Sequence, residues 1–239
     1  MQFKSHSEQL LQDGFTVISN IYTDGEADEI ITAINNNNSQ SDTFRRTEGL
    51  FAIRQFLKEF PDLKETLFND NLRKVVQQLF GDSYFVVKSI YFDKPQMSNW
   101  YVAWHQDLTI SVKDKAEITG FGPWTKKQGQ YAVQPPLEVL ENIYTVRIHL
   151  DDTDGNNGAL KVIPGTHLKK VYRPEALGKD IEQEITCNVP KGGIMIMKPL
   201  IMHSSSRTTN KKQRRVIHIE FSSMHLPEAL QWAEKDCFQ

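Results

Sequence analysis

The chain has 239 residues, of which 39% are hydrophobic and 24% are charged, a balance typical of a globular protein with a substantial core. Its formal net charge of −2 argues against an obligatory nucleic-acid partner, which usually requires a basic surplus. No stretch approaches the roughly 20 apolar residues that a membrane helix needs, and the N-terminus lacks the apolar segment of a secretory signal.

Two cysteines, Cys187 and Cys237, stand far apart in the sequence and form no metal-like pair. We therefore expect no disulfide framework, and a reducing cytoplasm is the expected location. The length fits one domain that spans residues 1–239. The sequence gives no indication of the oligomeric state.

Helical patterns dominate the first part of the chain. β-Branched residues predict a short strand at 15–20, and a helix with apolar residues at helical spacing follows from Asp24. Further helical regions are predicted at 51–60 and 71–81, the second of which ends at a glycine.

Strand patterns dominate after Gly81. A long strand rich in β-branched and aromatic residues is predicted at 84–94. Shorter strands separated by turn residues follow at 99–110, 141–152, 158–164, 184–190, 192–199 and 214–221. A short closing helix is predicted at 226–236. Helices followed by a run of strands predict an α+β domain, mainly β, whose sheets form a sandwich or a barrel.

One predicted strand carries a histidine and an aspartate on the same face. His105 and Asp107 lie two residues apart, so both side chains project to one side of an extended chain. For this pair alone, a surface His–Asp hydrogen bond is the simpler interpretation. His203, near the end of a distant apolar strand, can add a third ligand in a closed β-sandwich. Two histidines and one carboxylate on a triangular face hold Fe(II) in non-haem oxygenases, with positions left for a cosubstrate and O2.

A cation on the strand after His203 fits an anionic cosubstrate. Arg214 begins that strand, and the intervening turn can bring it back beside the histidine. A guanidinium binds a carboxylate through two parallel hydrogen bonds, as the distal carboxylate of a 2-oxoacid requires. Arg215 would point to the opposite face of the sheet, and Ser205 could add a hydroxyl to the same carboxylate.

Four further residues are candidates for contact with the substrate. Arg147 shares a predicted strand face with His149, so we expect it to line the cavity. Gln134 lies in a long connection that we interpret as a lid. For Trp124, packing at the mouth of the barrel and direct substrate contact are both open. Arg54 falls in a predicted helix, where an exposed cation is an equally good interpretation.

Several segments resemble the phytanoyl-CoA dioxygenase family of 2-oxoglutarate oxygenases. They are WHQD at 104–107, NNGALKVIPGTH at 156–167, and His203 followed by RRVIHIEF at 214–221. The likeness extends over residues 14–221 and looks closest to a bacterial branch of the family. It implies a double-stranded β-helix, that is, a cupin-like jelly roll, with N-terminal helices packed on one sheet.

The resemblance also implies a set of site residues. Fe(II) would be bound by His105, Asp107 and His203, and the cosubstrate 2-oxoglutarate would be held by Arg214 with help from Ser205. Related halogenases carry a small residue in place of the carboxylate, so the aspartate favours hydroxylation over halogenation.

The predicted function is therefore hydroxylation of a small molecule, with consumption of O2 and 2-oxoglutarate and release of succinate and CO2. Two alternatives remain: a catalytically inactive jelly-roll binding module, and a cupin-type metal-dependent hydrolase or isomerase. Arg147 stands where the family's namesake enzyme has a tryptophan beside the cosubstrate, so the substrate of the namesake does not transfer to this chain.

Overall fold

The computed structural model describes residues 3–37, 41–47, 50–127 and 129–236. The α-helices are Lys4–Gln12 (α1), Asp24–Asn36 (α2), Phe56–Glu59 (α3), Lys64–Leu67 (α4), Asp70–Leu79 (α5) and Leu137–Asn142 (α6). The strands are Phe15–Ile18 (β1), Phe44–Thr47 (β2), Leu50–Arg54 (β3), Phe85–Lys94 (β4), Val102–His105 (β5), Ile110–Val112 (β6), Trp124–Lys127 (β7), Gln130–Val133 (β8), Tyr144–His149 (β9), Leu160–Ile163 (β10), Ile185–Thr186 (β11), Ile194–Met197 (β12), Met202–Ser205 (β13) and Arg214–Ser222 (β14). Short 3-10 helices lie at Pro61–Leu63, Thr166–Lys169, Pro174–Ala176 and Gly178–Gln183.

The two longer predicted helices begin at side-chain caps. At the start of α2 the Thr23 hydroxyl accepts from the Glu26 amide at 3.2 Å, and the Glu26 carboxylate accepts from the Thr23 amide at 2.7 Å. At the start of α5 the Asn69 side chain accepts from the Leu72 amide at 3.0 Å. These bonds satisfy backbone donors that would otherwise lack a partner in the first turn.

Antiparallel sheets make up most of the molecule. The larger sheet has seven strands in the order β1-β12-β9-β14-β4-β3-β2, and the smaller has four in the order β11-β10-β13-β5. A three-stranded sheet, β6-β8-β7, covers much of the long connection that was interpreted as a lid. The predicted fold class, a mainly β jelly roll with helices, is confirmed.

The N-terminal helices pack on one face of the larger sheet. Ile30 of α2 and Val76 of α5 belong to one apolar cluster with Ile148 of β9 and Ile219 of β14. All four side chains are fully buried. Because side chains alternate along a strand, the residues between these apolar positions face the other way, toward the smaller sheet.

That second face of the larger sheet carries a row of four side chains, three of which are polar. The strand register pairs Arg147 with His218, His218 with Ile90, and Ile90 with Arg54. Adjacent strands lie about 4.8 Å apart, so this row of four residues spans roughly 14 Å across β9, β14, β4 and β3. The space between the row and the smaller sheet contains the candidate site.

The predicted helix at 51–60 is wrong over its first half. Residues Leu50–Arg54 form β3, which pairs with β2 and β4, and only Phe56–Glu59 is helical. The apolar residues of this segment also fit helical spacing. Hydrogen bonding to the edge of β4 that β14 leaves unpaired favours the extended conformation instead. Arg54 therefore lies on a strand, not on a helix surface.

The predicted closing helix at 226–236 is also wrong. These residues form turns and isolated bridges, in which Trp232 pairs with Val112 and Asp236 pairs with Val86. Their contacts with the sheets replace the intrahelical hydrogen bonds that the sequence pattern suggested. Conversely, α1 and α6 are present although no helix was predicted there.

Cys187 is a buried free thiol, and burial raises its pKa to about 12, which keeps it protonated. Cys237 lies outside the described residues. Within the described part of the chain, no helix combines the length and the apolar character needed to cross a membrane.

Candidate metal centre

His105, Asp107 and His203 converge on one point between the two sheets. His105 ends β5, and the register of the smaller sheet pairs it directly with His203 on β13. The His105 Nε2 atom lies 3.8 Å from Asp107 Oδ1, and the His203 Nε2 atom lies 3.8 Å from Asp107 Oδ2. One donor atom from each residue lies within 4.8 Å of the others. The spacing suits donors that surround a single ion at bond lengths of about 2 Å.

Backbone hydrogen bonds orient both imidazoles. The Nδ1 atom of His105 is 2.8 Å from the Ala103 carbonyl, and the Nδ1 atom of His203 is 2.9 Å from the Ile201 carbonyl. A carbonyl only accepts, so each Nδ1 carries the proton and each Nε2 presents a lone pair. This is the usual orienting contact for a metal-binding histidine.

Electrostatics keep Asp107 and His203 in their metal-binding protonation states. Burial alone would raise the pKa of Asp107, but electrostatic interactions with the His203 ring and with the Lys88 ammonium hold it well below its usual value. Burial lowers the pKa of His203 to about 4, so its imidazole is neutral at neutral pH. Two imidazoles and one carboxylate on one side of a cavity fit a divalent first-row metal such as Fe(II).

A cavity of about 370 Å³ opens directly onto this group of donors. It lies between the row of polar residues on the larger sheet and strands β5, β10 and β13 of the smaller sheet. Its lining includes the three candidate metal ligands. It also includes the candidate cosubstrate residues Ser205 and Arg214, the candidate substrate residues Arg147 and Arg54, and Trp100. The fold thus brings these sequence-distant residues into one cavity.

Arg214 is a buried cation that the surrounding protein does not neutralise. Its Nε and Nη1 atoms have no hydrogen-bond partner among the described residues. Burial, and then the charge of Arg147, lower the pKa of Arg214 to about 9. A buried guanidinium with unpaired N–H groups fits a carboxylate that enters the cavity, because charge-assisted hydrogen bonds to that carboxylate would give an orphaned donor a partner.

Arg147 lies beside Arg214 and is also buried. Its Nη1 atom is 3.1 Å from the Nδ1 atom of His218, while its Nε atom has no partner within the described part of the chain. Burial lowers the pKa of Arg147 to about 10, against the opposing effect of the Asp107 carboxylate. Two neighbouring guanidiniums with unsatisfied donors therefore concentrate positive charge at one end of the cavity.

Lys94 is a further cation next to this end, behind the residues that line the cavity, and sequence reasoning missed it; its ammonium donates to the Ser206 carbonyl. It is fully buried, it is the cross-strand partner of Arg214, and its Nζ atom lies 3.4 Å from the Ser205 hydroxyl. That hydroxyl donates to the Gly158 carbonyl at 2.9 Å. Burial and the Arg214 charge lower the pKa of Lys94 to about 7. Its even spacing from Ile90, which faces the cavity, was a signal that could have revealed it.

A buried ion-pair network under the metal ligands was missed as well. The Lys88 ammonium lies 2.6 Å from the Glu220 carboxylate, which also lies 3.0 Å from the Nε2 atom of His218. Lys88 and His218 both act electrostatically on Asp107. The network thus places positive charge beside the candidate carboxylate ligand and favours its ionised form.

Trp124 and Gln134 lie away from this cavity. Trp124 begins β7 and lines a shallow surface pocket with Phe121, and the Gln134 carbonyl accepts from the Gly122 amide at 2.9 Å. Neither belongs to the cavity lining, whereas Trp100 does. Direct substrate contact by Trp124 and Gln134 therefore has no support from their position.

The sequence model of the phytanoyl-CoA dioxygenase family matches residues 10–216, which is most of the chain. No curated protein is significantly similar to the chain in sequence.

Solved structures share the fold at low sequence identity. EctD from S. alaskensis, in its apoform, is 16% identical with a TM-score of 0.70, over 92% of this chain and 76% of EctD. The non-heme alpha-ketoglutarate-dependent epimerase SnoN from nogalamycin biosynthesis is 14% identical with a TM-score of 0.69, over 92% of this chain and 83% of SnoN. HygX from Streptomyces hygroscopicus, with nickel and 2-oxoglutarate bound, is 13% identical with a TM-score of 0.66, over 94% of this chain and 89% of HygX.

Proposed function

Because the chain belongs to the phytanoyl-CoA dioxygenase family, we propose that it is an Fe(II)- and 2-oxoglutarate-dependent dioxygenase that hydroxylates a small-molecule substrate. We treat residues 1–239 as one catalytic domain. The observation that carries the proposal is the position of the buried, unsatisfied guanidinium of Arg214 in the same cavity as two oriented imidazoles and one carboxylate. HygX, a similar fold, holds nickel and 2-oxoglutarate, which supports the same pairing here.

His105, Asp107 and His203 would hold the metal on one side. When bound, Fe(II) with 2-oxoglutarate and O2 supplies the oxidation, with release of succinate and CO2. The protein contributes fixed lone pairs, because the Ala103 and Ile201 carbonyls hold both imidazoles in one tautomer. The presence of Asp107 supports hydroxylation rather than halogenation.

The far carboxylate of 2-oxoglutarate would be bound by Arg214. Lys94 would add a second positive charge, and Ser205 would position the Lys94 ammonium, since its own proton is donated to Gly158. Arg147 lies one strand away and would contribute to the same anionic ligand. Apolar side chains from both sheets, Ile90, Phe92, Val102 and Leu160, would limit water in the cavity.

The cavity chemistry weighs against a hydrolase. Asp107 is the single carboxylate in the described lining of the cavity, and it is already assigned to the metal. The nearby Glu220 carboxylate is bound to Lys88 and His218, so it is not available as a general base. A metal hydrolase also offers no role for the two unsatisfied guanidiniums.

The proposal is tested by anaerobic titration with Fe(II) and 2-oxoglutarate. We expect a weak visible metal-to-ligand charge-transfer band, and under O2 a 2-oxoglutarate-dependent release of succinate. His105→Ala should abolish both, while His225→Ala, a matched change at an exposed histidine outside the cavity, should leave both unchanged. A folded wild-type protein with neither band nor succinate would leave an inactive binding module as the better interpretation.

A further inference from the structure

A chain of four polar side chains crosses three strands of the larger sheet. The Lys88 ammonium on β4 lies 2.6 Å from the carboxylate of Glu220 on β14, its cross-strand partner. The same carboxylate oxygen lies 3.0 Å from the Nε2 atom of His218. The Nδ1 atom of His218 lies 3.1 Å from Nη1 of Arg147 on β9, again a cross-strand partner. Glu220, His218 and Arg147 are buried, so these hydrogen bonds lie in a low-dielectric environment that strengthens them.

One tautomer of His218 satisfies both of its contacts. Burial would raise the pKa of Glu220, but the Lys88 ammonium holds it below its usual value, so the carboxylate is ionised and only accepts. The His218 Nε2 atom therefore carries the proton. A guanidinium only donates, so the Nδ1 atom presents its lone pair to Arg147. The Phe92 ring meets the imidazole edge-on at an interplanar angle of 84°, which restrains the orientation of the imidazole plane.

His218 lines the cavity but has no lone pair to offer a metal ion. Its Nδ1 lone pair is directed at Arg147 and its Nε2 proton at Glu220. His105 and His203 carry the proton on Nδ1 and present Nε2 to the metal site. The cavity thus contains histidines of opposite tautomers, and the acceptor atom of His218 faces a cation of the protein itself.

Arg147 lies between the metal centre and the residue proposed to bind the cosubstrate. It lines the cavity and interacts electrostatically with Asp107 and His203 on one side and with Arg214 on the other. A long, flexible side chain loses rotational freedom when it binds a ligand, and a side chain that is already held loses less. The contact of Nη1 with His218 supplies that restraint, while Nε has no partner in the described part of the chain.

From this arrangement we propose that His218 is a positioning residue, which holds the Arg147 guanidinium in the orientation that binds a carboxylate of 2-oxoglutarate beside Arg214. Glu220 acts one step further back, because it keeps the proton on Nε2 of His218. With the proton on Nδ1, the imidazole would oppose an N–H group to the guanidinium instead of a lone pair. The assignment rests on the function proposed above, since it takes 2-oxoglutarate as the ligand of Arg147.

The test is a double-mutant cycle on the affinity for 2-oxoglutarate. The full chain, loaded anaerobically with Fe(II), is titrated with 2-oxoglutarate and followed by the charge-transfer band. The variants are His218→Leu, His218→Gln, Arg147→Met, and the combination of His218→Leu with Arg147→Met. The matched control is His225→Leu, at an exposed histidine outside the cavity lining. Circular dichroism checks that each variant is folded.

We expect His218→Leu to weaken 2-oxoglutarate binding by about tenfold, because Arg147 loses its acceptor. His218→Gln should stay within about threefold of the wild type, since a carboxamide can accept from Arg147 and donate to Glu220. Arg147→Met should weaken binding by about tenfold or more, and adding His218→Leu to it should cost less than about a further twofold. A merely structural role of His218 would give the same loss in both backgrounds.

Nuclear magnetic resonance of the metal-free protein reports the tautomer directly. Proton–nitrogen spectra of the imidazole rings, with the His218 signals identified by their loss in His218→Gln, should show the proton of His218 on Nε2. This measurement decides whether His218 presents an acceptor to Arg147 even if His218→Leu does not fold.

The assignment is overturned if His218→Leu keeps the wild-type affinity, if its loss is equal in both backgrounds, if His218→Gln is as weak as His218→Leu, or if the His218 proton lies on Nδ1. With a normal wild-type band, each of these results removes the role of His218 alone. A folded wild-type protein that forms no band is a different result, because it overturns the proposed function and this assignment falls with it.

Discussion

Arg214→Met should make the ligand-free protein more stable and remove most of its stabilisation by 2-oxoglutarate. Methionine keeps much of the length of the side chain but lacks the guanidinium. A pKa lowered from 12.5 to about 9 corresponds to at most about 5 kcal/mol of penalty for the charged form in the folded state at pH 7. Part of that is offset by imperfect packing of the methionine in place of the guanidinium, so we expect a net gain of about 2 kcal/mol.

The expected loss of stabilisation by 2-oxoglutarate follows from the linkage between ligand binding and folding. With Fe(II) present anaerobically, 2-oxoglutarate at one hundred times its Kd should raise the free energy of unfolding of the wild type by about 2.7 kcal/mol. If the substitution weakens binding a hundredfold, the same concentration adds only about 0.4 kcal/mol. Urea unfolding with and without 2-oxoglutarate measures both quantities.

Arg215→Met is the matched control. Arg215 points to the opposite face, where its Nε atom donates to Asp151 at 2.8 Å. Removing it should lower stability and leave the gain from 2-oxoglutarate intact. The reasoning fails if Arg214→Met loses more than about 1 kcal/mol without ligand, or if it keeps the full gain with ligand.

Three further outcomes are expected. Asp107→Ala should abolish the charge-transfer band, measured anaerobically, while circular dichroism shows a folded chain. Glu220→Gln should lower the free energy of unfolding by about 3–5 kcal/mol, because Lys88 is left as an uncompensated buried charge; a change below 1 kcal/mol in urea would contradict this. Burial lowers the pKa of Lys94 to about 7, so the unfolded chain binds more protons above that pH and stability should rise between pH 7 and pH 9. Lys94→Met should remove about 2 kcal/mol of that rise, and an unchanged pH dependence would show that Lys94 is not the cause.

The sequence carried enough information to place the three candidate metal ligands. Two-residue alternation on a strand puts His105 and Asp107 on one face, and a sandwich brings His203 close to them. The β4, β9 and β14 segments were likewise predicted, because their β-branched residues form long runs. The local sequence pattern was sufficient to predict these three strands, which are buried against an apolar layer.

The local pattern did not predict the β2–β3 hairpin. Residues 51–60 match helical spacing as well as strand alternation, and only pairing with β4 decides between them. The local pattern therefore predicts Arg54 on a helix and gives no sign that Arg45 lies at the cavity. Contacts between distant strands are not encoded in a local window, so the cationic edge of the cavity could not be derived from the sequence.

The direct pairing of His203 with His105 makes the metal centre a product of strand register. A shift of β13 by one residue along β5 would turn His203 to the outside and dismantle the ligand set without changing the composition of the sheet. A bound divalent ion would then stabilise one alignment of these two strands over all others. Bound iron would thus favour the correct strand register of the folded chain, in addition to its part in the reaction.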